Sequence, residues 1–325
     1  MSLDNKSITA RAHTNIALVK YWGKKDEKLI IPNNSSISLT LDEFYTETTV
    51  KFDDNLYEDV MYLDNTKIDN MQPISNFMNI VRKLSDTNKF AKINSYNHVP
   101  TSAGLASSAS GFAALSAAAS KAAGLNLNNI ELSKLARRGS GSATRSVYGG
   151  FSEWKHGTDN DTSYAVSIQD PVKMDINMIA IILNNQPKKI SSRKGMKMSV
   201  NTSPYYKAWE QQTTRDLKSV KNAIYNNDFT TLGKTAELNS MRMHALTLSS
   251  DPSYLYLNKD SLLVIDYVKS LREKGIECYY TMDAGPNVKV ICQSKNIEKI
   301  KLYLLQSFDE ENIKISKPGG SIKYL

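Results

Sequence analysis

The sequence predicts an α+β fold in two lobes. Runs of alternating apolar and polar residues dominate its first part, helix-period apolar stripes cluster after residue 190, and two short apolar strands flank a turn at Asp283-Ala284-Gly285-Pro286. Helices grouped beside strands of this kind, without a regular β-α-β alternation, are the mark of the α+β class.

The elements follow in order. Ile8, Ala10 and Ala12 alternate with Thr9 and Arg11, and Ile37, Leu39 and Leu41 alternate with Ser38 and Thr40, both at strand period. Tyr45 to Phe52 is rich in Thr, Tyr and Val, and Val60 to Ile68 contains an Asp64-Asn65 turn, which predicts a hairpin. Ile74, Phe77, Met78, Val81 and Leu84 fall on one helical face. Ala91 to His98 reads as a strand, and an Ala-rich helix runs from Phe112 to Gly124. Asn128 or Asn129 can cap a helix carrying Leu132 and Leu135 to Arg138. Strands are expected near Tyr164 to Ile168 and Met178 to Leu183, beyond Gly149-Gly150. Asn184-Asn185-Gln186-Pro187 then breaks the pattern and is the expected boundary between lobes 1–186 and 187–325. Helices follow through Trp209, Leu217, Val220 and Ile224, through Phe229, Leu232 and Ala236, and through Leu262, Ile265, Val268 and Leu271. Glu277 to Met282 and Val288 to Cys292 are strands, and Ile297 to Leu305 is helical.

Bulk properties exclude several classes. At 325 residues the chain can bury a substantial core, and 23% charged with 41% hydrophobic residues is ordinary for a water-soluble protein. The longest apolar run, Met178 to Leu183, is far too short to span a bilayer, so no membrane partner is expected. Met1-Ser2-Leu3-Asp4-Asn5-Lys6 lacks the apolar core of a signal peptide, which points to a cytoplasmic location. Cys278 and Cys292 cannot supply a disulfide framework, and no Cys/His cluster has zinc spacing. The net charge of +8 invites a nucleic-acid reading, but its lysines are scattered, whereas duplex binding needs a stripe of them. A few cations in one cleft suffice for a small anionic substrate. No nucleic-acid partner is expected.

The most informative stretch is Pro100-Thr101-Ser102-Ala103-Gly104-Leu105-Ala106-Ser107-Ser108-Ala109-Ser110-Gly111. Gly104 and the small side chains let backbone approach a ligand, the serines offer hydroxyls, and the following helix directs free N–H groups and its positive dipole end at the same place. That combination suits a polyphosphate. An Ala-rich core helix with a Ser-rich cap would share the composition. Neither G-x-x-x-x-G-K-[ST] nor G-x-G-x-x-G occurs in the chain.

The order Pro-x-x-x-Gly-Leu-x-Ser-Ser-Ala from Pro100 to Ala109 resembles the ATP-binding motif of the GHMP kinase superfamily. Three further segments narrow the resemblance: Ala10-Arg11-Ala12-His13-Thr14-Asn15-Ile16-Ala17-Leu18-Val19-Lys20-Tyr21-Trp22-Gly23-Lys24, Arg137-Arg138-Gly139-Ser140-Gly141-Ser142-Ala143-Thr144-Arg145-Ser146, and Met282-Asp283-Ala284-Gly285-Pro286-Asn287. Together they resemble the mevalonate diphosphate decarboxylases in their bacterial form, over essentially the whole chain. The resemblance implies a GHMP-type fold with an N-terminal lobe like ribosomal protein S5 domain 2, a ferredoxin-like C-terminal lobe and an active site between them. It also implies ATP and Mg2+, diphosphomevalonate as substrate, and a homodimer.

Asp283 lies on a turn between apolar strands, where a carboxylate can face a cleft and accept a hydroxyl proton or can close an Asx-turn on its own backbone. The resemblance makes it the base for the tertiary 3-hydroxyl. Arg145 sits in a Gly/Ser loop, and its planar guanidinium can grip a carboxylate through two parallel bonds, which Lys cannot. The resemblance assigns it to the substrate carboxylate and adds Lys20 to the catalytic set. Tyr21, Lys24, Ser140, Ser142, Ser192 and Arg193 are the candidates for the rest of the substrate, whose diphosphate needs hydroxyls and cations. Gly104, Ala106, Ser107 and Ser108 are the candidates for the ATP phosphates, Asn97 for the nucleotide base, and Ser108 for Mg2+. Lys188 and Lys189 read as solvated flank residues, His13 as a packed imidazole, and His244 is given no chemistry. No G-x-S-x-G elbow supports a hydrolase. Related kinases usually carry a Gly-rich third motif where this chain has Asp-Ala-Gly-Pro-Asn, and an S5-like RNA-binding module would need a basic stripe with stacking aromatics.

Overall fold

A computed structural model of the chain describes residues 6–98, 107–183 and 189–325. β1 (Ile8–Val19) begins with alternating burial and ends in a fully buried run. A small hairpin of β2 (Lys24–Asp26) and β3 (Ile31–Pro32) follows, and β4 (Ser36–Asp53) returns antiparallel to β1. β5 (Val60–Leu63) and β6 (Thr66–Lys67) form the hairpin expected around Asp64-Asn65. Both turn residues have positive φ, 48° and 65°, the conformation that suits the right-handed twist of the flanking strands. α1 (Gln72–Ser85) buries Phe77, Met78 and Val81 on the face their spacing predicts. β7 (Phe90–His98) then pairs antiparallel with the second half of β4 and parallel with β5.

α2 (Ser107–Ala122) lies across β1 and β4, its alanines buried so that helix and sheet approach closely. α3 (Asn129–Gly139) starts at Asn128, whose side chain accepts from the Ile130 and Glu131 N–H groups while Glu131 reaches back to the Asn128 N–H. That reciprocal pair satisfies donors the helix end would otherwise leave open. A 3-10 turn over Gly141–Val147 leads to β8 (Phe151–Lys155), which pairs with the first half of β4, and β9 (Tyr164–Gln169) pairs with β8.

β10 (Asn177–Ile181) belongs to a second sheet. Four helices follow: α4 (Ser192–Thr202), α5 (Tyr206–Asn226), α6 (Phe229–Leu248) and α7 (Lys259–Glu273). Then come β11 (Cys278–Met282), β12 (Val288–Cys292), α8 (Ile297–Leu304), β13 (Ile313–Ser316) and β14 (Lys323–Tyr324). The second sheet has the order β11-β12-β10-β13, all antiparallel, and β14 returns to pair with β1 in the first. Sheet membership thus changes between Gln169 and Asn177, ahead of the Pro187 break that the sequence suggests as a boundary.

The α+β class is as expected. The elements that periodicity did not announce are short or mixed in character. α4 carries Gly195, two lysines and little apolar spacing, while β2, β3 and β14 are each two or three residues long.

One apolar core joins the two sheets. It contains Ile16, Leu18 and Leu39 from the first, Met178, Tyr279 and Ile291 from the second, and Val220 and Leu232 from α5 and α6. α6 comes against β11 at Gly233, where a Cβ would stand 2.0 Å from the Tyr279 ring. Only glycine fits that approach.

Candidate active site

The ends of several elements converge on one cavity of about 340 Å3. β1 delivers Asn15 and Ala17 and, just past its end, Lys20, Tyr21 and Lys24. α2 presents Ser108, exposed in its first turn. The junction of α3 with the 3-10 turn gives Ser140, Ser142 and Arg145, α4 gives Ser192 and Arg193, and the turn after β11 gives Asp283. A Cβ on Gly139 would stand 2.0 Å from the Phe112 ring, so glycine there lets the serine-bearing turn sit against α2.

Asp283 is the centre of the charge arrangement. Its Oδ1 accepts from Lys20 Nζ at 2.9 Å and its Oδ2 pairs with Lys289 Nζ at 3.3 Å. The Lys20 side chain is 2% exposed, whereas that of Asp283 keeps 25%, so the carboxylate faces the cavity and the ammonium stands behind it. Burial alone would raise the Asp283 pKa, but the adjacent Lys20 and Lys289 charges outweigh it and hold the carboxyl well below the usual carboxylate range. Burial pulls Lys20 down to about 8, with the Asp283 charge opposing. Both partners bear a desolvation cost; two neighbouring ammonium groups outweigh it at Asp283, whereas at Lys20 the single carboxylate does not. Lys20 Nζ also donates to the Ala17 carbonyl at 2.7 Å.

Arg145, 2% exposed, is aimed by the first lobe. Its Nε donates to Asn15 Oδ1 at 3.2 Å and its Nη1 to Ser36 Oγ. Asn15 in turn donates to the Ser142 carbonyl at 3.0 Å and to Ser146 Oγ at 2.8 Å, which ties β1 to the turn that carries the arginine. Burial lowers the Arg145 pKa to about 10, leaving it charged at neutral pH. Ser140 Oγ lies 3.4 Å from Ser108 Oγ and 3.2 Å from Ser142 Oγ, a group of hydroxyls between the start of α2 and the arginine.

Among the described residues that line the cavity, Lys20, Lys24, Arg145 and Arg193 face one carboxylate, Asp283. That balance suits a multiply anionic ligand. The described residues contain no group of three or more His, Cys, Asp or Glu side chains able to hold a metal ion. A hydroxyl such as that of Ser108 nonetheless fits Mg2+, which keeps much of its water and reaches such sites on phosphate oxygens.

The structure therefore gathers Lys20, Tyr21, Lys24, Ser108, Ser140, Ser142, Arg145, Ser192, Arg193 and Asp283 around one cavity. Asn97 is not among its lining residues: its Oδ1 accepts from Thr46 Oγ1 at 2.8 Å and its N–H donates to Asp64. Gly104, Ala106 and Lys188 lie outside the described residues, as does the side chain of Ser107. Lys189 is exposed, and His13 packs on Tyr45 outside the cavity. Sequence reasoning missed Asn15, Ser36 and Lys289. The lysine had a signal, since a lone cation in the apolar strand Val288-Lys289-Val290-Ile291-Cys292 requires a partner if that strand is buried.

Comparison with known proteins follows the same division of the chain. Residues 12–165 match the diphosphomevalonate decarboxylase-like N-terminal domain, and residues 178–320 match the mevalonate 5-diphosphate decarboxylase C-terminal domain. The diphosphomevalonate decarboxylase of Saccharomyces cerevisiae is 34% identical over 100% of this chain and 85% of its own length. The mevalonate diphosphate decarboxylase structure from Staphylococcus aureus is 48% identical, with a TM-score of 0.95 over 98% of both chains. A second decarboxylase structure, MDDEF in complex with MVAPP, AMPPCP and magnesium, is 48% identical, with a TM-score of 0.94 over 98% of both chains. With both of its halves matched, and with relatives this similar along its whole length, the chain belongs to the diphosphomevalonate decarboxylase family.

Proposed function

We propose that the chain catalyses the ATP-dependent decarboxylation of (R)-5-diphosphomevalonate, giving isopentenyl diphosphate, CO2, ADP and phosphate. The observation that carries this reading is the placement of Asp283, with Lys20 and Lys289 behind it, in the same cavity as Arg145 and the start of α2.

Asp283 orients the tertiary 3-hydroxyl and takes its proton. A carboxylate held so firmly ionised is a weak base, which suits a late proton transfer: the hydroxyl becomes acidic only as its oxygen bonds to the transferred phosphoryl group. Lys20 and Lys289 keep Asp283 charged and in place. Ser107 and Ser108, with Gly104 and Ala106, are assigned to the nucleotide phosphates and Asn97 to the base. Ser108 would hold Mg2+ beside the phosphates, where the bound ion would supply neutralisation of charge during transfer.

Phosphate then leaves C3, and the C1–C2 bond electrons form the C2–C3 double bond as CO2 departs. Arg145 holding the substrate carboxylate raises a difficulty, because stabilising a charge that disappears in the transition state would slow the step. Its contribution is therefore alignment of the breaking bond with the leaving phosphate, and burial against Asn15 and Ser36 suits a fixed clamp. Tyr21, Lys24, Ser140, Ser142, Ser192 and Arg193 take the remainder of the substrate, including its diphosphate.

The two lobes, 1–186 and 187–325 by the sequence break, divide this work between nucleotide site and Asp283 loop. A homodimer in the cytoplasm completes the reading, with sedimentation as the test of assembly. No helix among the described residues is long and apolar enough to cross a membrane. The decisive experiment is an end-point assay with ATP and diphosphomevalonate that scores ADP and CO2 together. Equal yields are expected; ADP without CO2 would make the protein a kinase and overturn the proposal.

A further inference from the structure

α6 buries two consecutive polar residues, Asn239 and Ser240, each with no exposed surface. Both are indifferent helix formers, and both would cost stability if buried without partners. Their partners explain the arrangement. Asn239 Oδ1 accepts the Lys20 backbone N–H at 2.8 Å. Ser240 Oγ accepts the Met282 backbone N–H at 2.8 Å and donates to the Met282 carbonyl at 3.1 Å. One residue thus holds the peptide of Lys20, and its neighbour holds the peptide that precedes Asp283.

The orientation of the Asn239 amide is chemically fixed. Its Nδ2 donates to Asp216 Oδ2 at 2.8 Å, and Asp216 also accepts from Arg242 at 3.0 Å and from Gln212 at 2.8 Å. A carboxylate can only accept, so Nδ2 must face Asp216 and Oδ1 must face the Lys20 N–H. On the other side, Asn34 Nδ2 donates to the Lys20 carbonyl at 2.7 Å, so the residue is gripped at both its N–H and its C=O. Lys20 and Asp283 come from different sheets and lie 263 positions apart, and α6 is the element that touches the backbone at both.

We propose that Asn239 and Ser240 are positioning residues for the reaction, setting Lys20 against Asp283 through the two backbones, with Asp216 orienting Asn239. This rests on the reading that Lys20 and Asp283 work on the substrate hydroxyl. The side chains of Asn239 and Ser240 do not themselves line the cavity. Their effect belongs to turnover and not to nucleotide binding, since their side chains bond the Lys20 and Met282 backbones and Asp216, away from the Ser108 end of α2 where the phosphates are assigned.

The test compares Asn239→Leu, Ser240→Ala, Asn239→Asp and the exchange Asp216→Asn with Asn239→Asp, each with kcat, KM for ATP and melting temperature. Asn239→Leu and Ser240→Ala are expected to lower kcat by about 10- to 100-fold, the scale of a lost ångström of alignment, with KM for ATP within about twofold. Asn239→Asp alone sets two carboxylates face to face and should also lose kcat. The exchange restores an acceptor for the Lys20 N–H and an amide donor beside it, and should recover most of the loss. Lower melting temperatures with kcat unchanged in Ser240→Ala, or no recovery in the exchange when it folds, would overturn the proposal. If Asn239→Leu does not fold, Ser240→Ala and the exchange decide. Lys20→Met separates the two levels: full activity there sinks the reading of Lys20 itself, whereas an inactive Lys20→Met beside fully active α6 variants sinks only the positioning role.

Discussion

At the scale of single residues, Asp283 makes the sharpest prediction. Asp283→Asn keeps shape but cannot take a proton, and its amide offers one acceptor where Lys20 and Lys289 each face a carboxylate oxygen. ADP and CO2 production should fall together by about 10²–10⁴-fold, the usual weight of a positioned base, while ATP and diphosphomevalonate still bind. A variant that forms ADP stoichiometrically but releases no CO2 would move Asp283 to a later step. Arg145→Lys keeps the charge and loses the two-pronged grip, so turnover should drop roughly a hundredfold or more in a protein that still melts cooperatively. Normal turnover would remove the clamp. Lys20 gives a pH prediction. With its pKa pulled down to about 8, it loses its charge above that value, and kcat/KM should fall on the alkaline side with a midpoint near it. Stability moves the other way. Between about 8 and the ordinary 10.5 the unfolded chain binds the proton that folded Lys20 has released, so the contribution of this residue to stability rises with pH. Melting curves of the parent and Lys20→Met at pH 7.5 and 9.5 would expose it as a gap that moves in the parent's favour; a constant gap refutes it. The sequence made Asp283, Arg145, Lys20 and Tyr21 legible because each stands in a motif. It hid Ser36, and it hid the role of Asn15 although that residue shares a motif with Lys20, because they meet Arg145 across 109 and 130 positions and neither residue type announces a partner.

Elements were legible where burial imposes a period. The alternation over Ile8 to Ala12 and Ile37 to Leu41, the strand Tyr45 to Phe52, the α1 stripe and the capped start of α3 follow from side chains that must face a core, whereas the unbroken buried end of β1 has no period to read. α4 was not legible, because a helix of Ser, Arg, Lys, Gly and Met owes its place to docking near Trp22, Tyr254 and Tyr256 and not to a strong apolar stripe of its own. α6 gives the prediction at this scale. Its approach to β11 leaves no room for a methyl group at Gly233, so Gly233→Ala should force the Tyr279 ring or the helix aside. A loss of about 1–3 kcal/mol is expected from such overpacking, against the small gain alanine brings to an exposed helix site. Chemical denaturation measures it directly, and an unchanged or raised midpoint would show that the contact yields without cost. Because α6 also holds the Lys20 and Met282 backbones, kcat should fall in the same variant.

For the whole molecule, the two-lobed α+β plan was readable, but the way the lobes are joined was not. A break such as Asn184–Pro187 marks where a pattern stops, while sheet membership is decided by pairing partners a hundred or more residues away, as when β10 meets β12 and β13. The shared core predicts that the lobes melt together. Calorimetry should show one transition whose calorimetric and van't Hoff enthalpies agree, and two resolved transitions would mean that each lobe holds its own core.

Among the described residues the chain passes between the two sheets twice, once between β9 and β10 and again between β13 and β14. A single crossing would act as a hinge. The two crossings run side by side, Ser321 Oγ donating to Asp170 Oδ2 at 3.1 Å, and it is the common apolar filling that rivets the plates, since any rotation of one lobe must shear Ile16, Leu18 and Leu39 across Tyr279 and Ile291. The frame of the active site is therefore stiff, and the protein should keep the same radius of gyration in X-ray scattering with and without its two substrates.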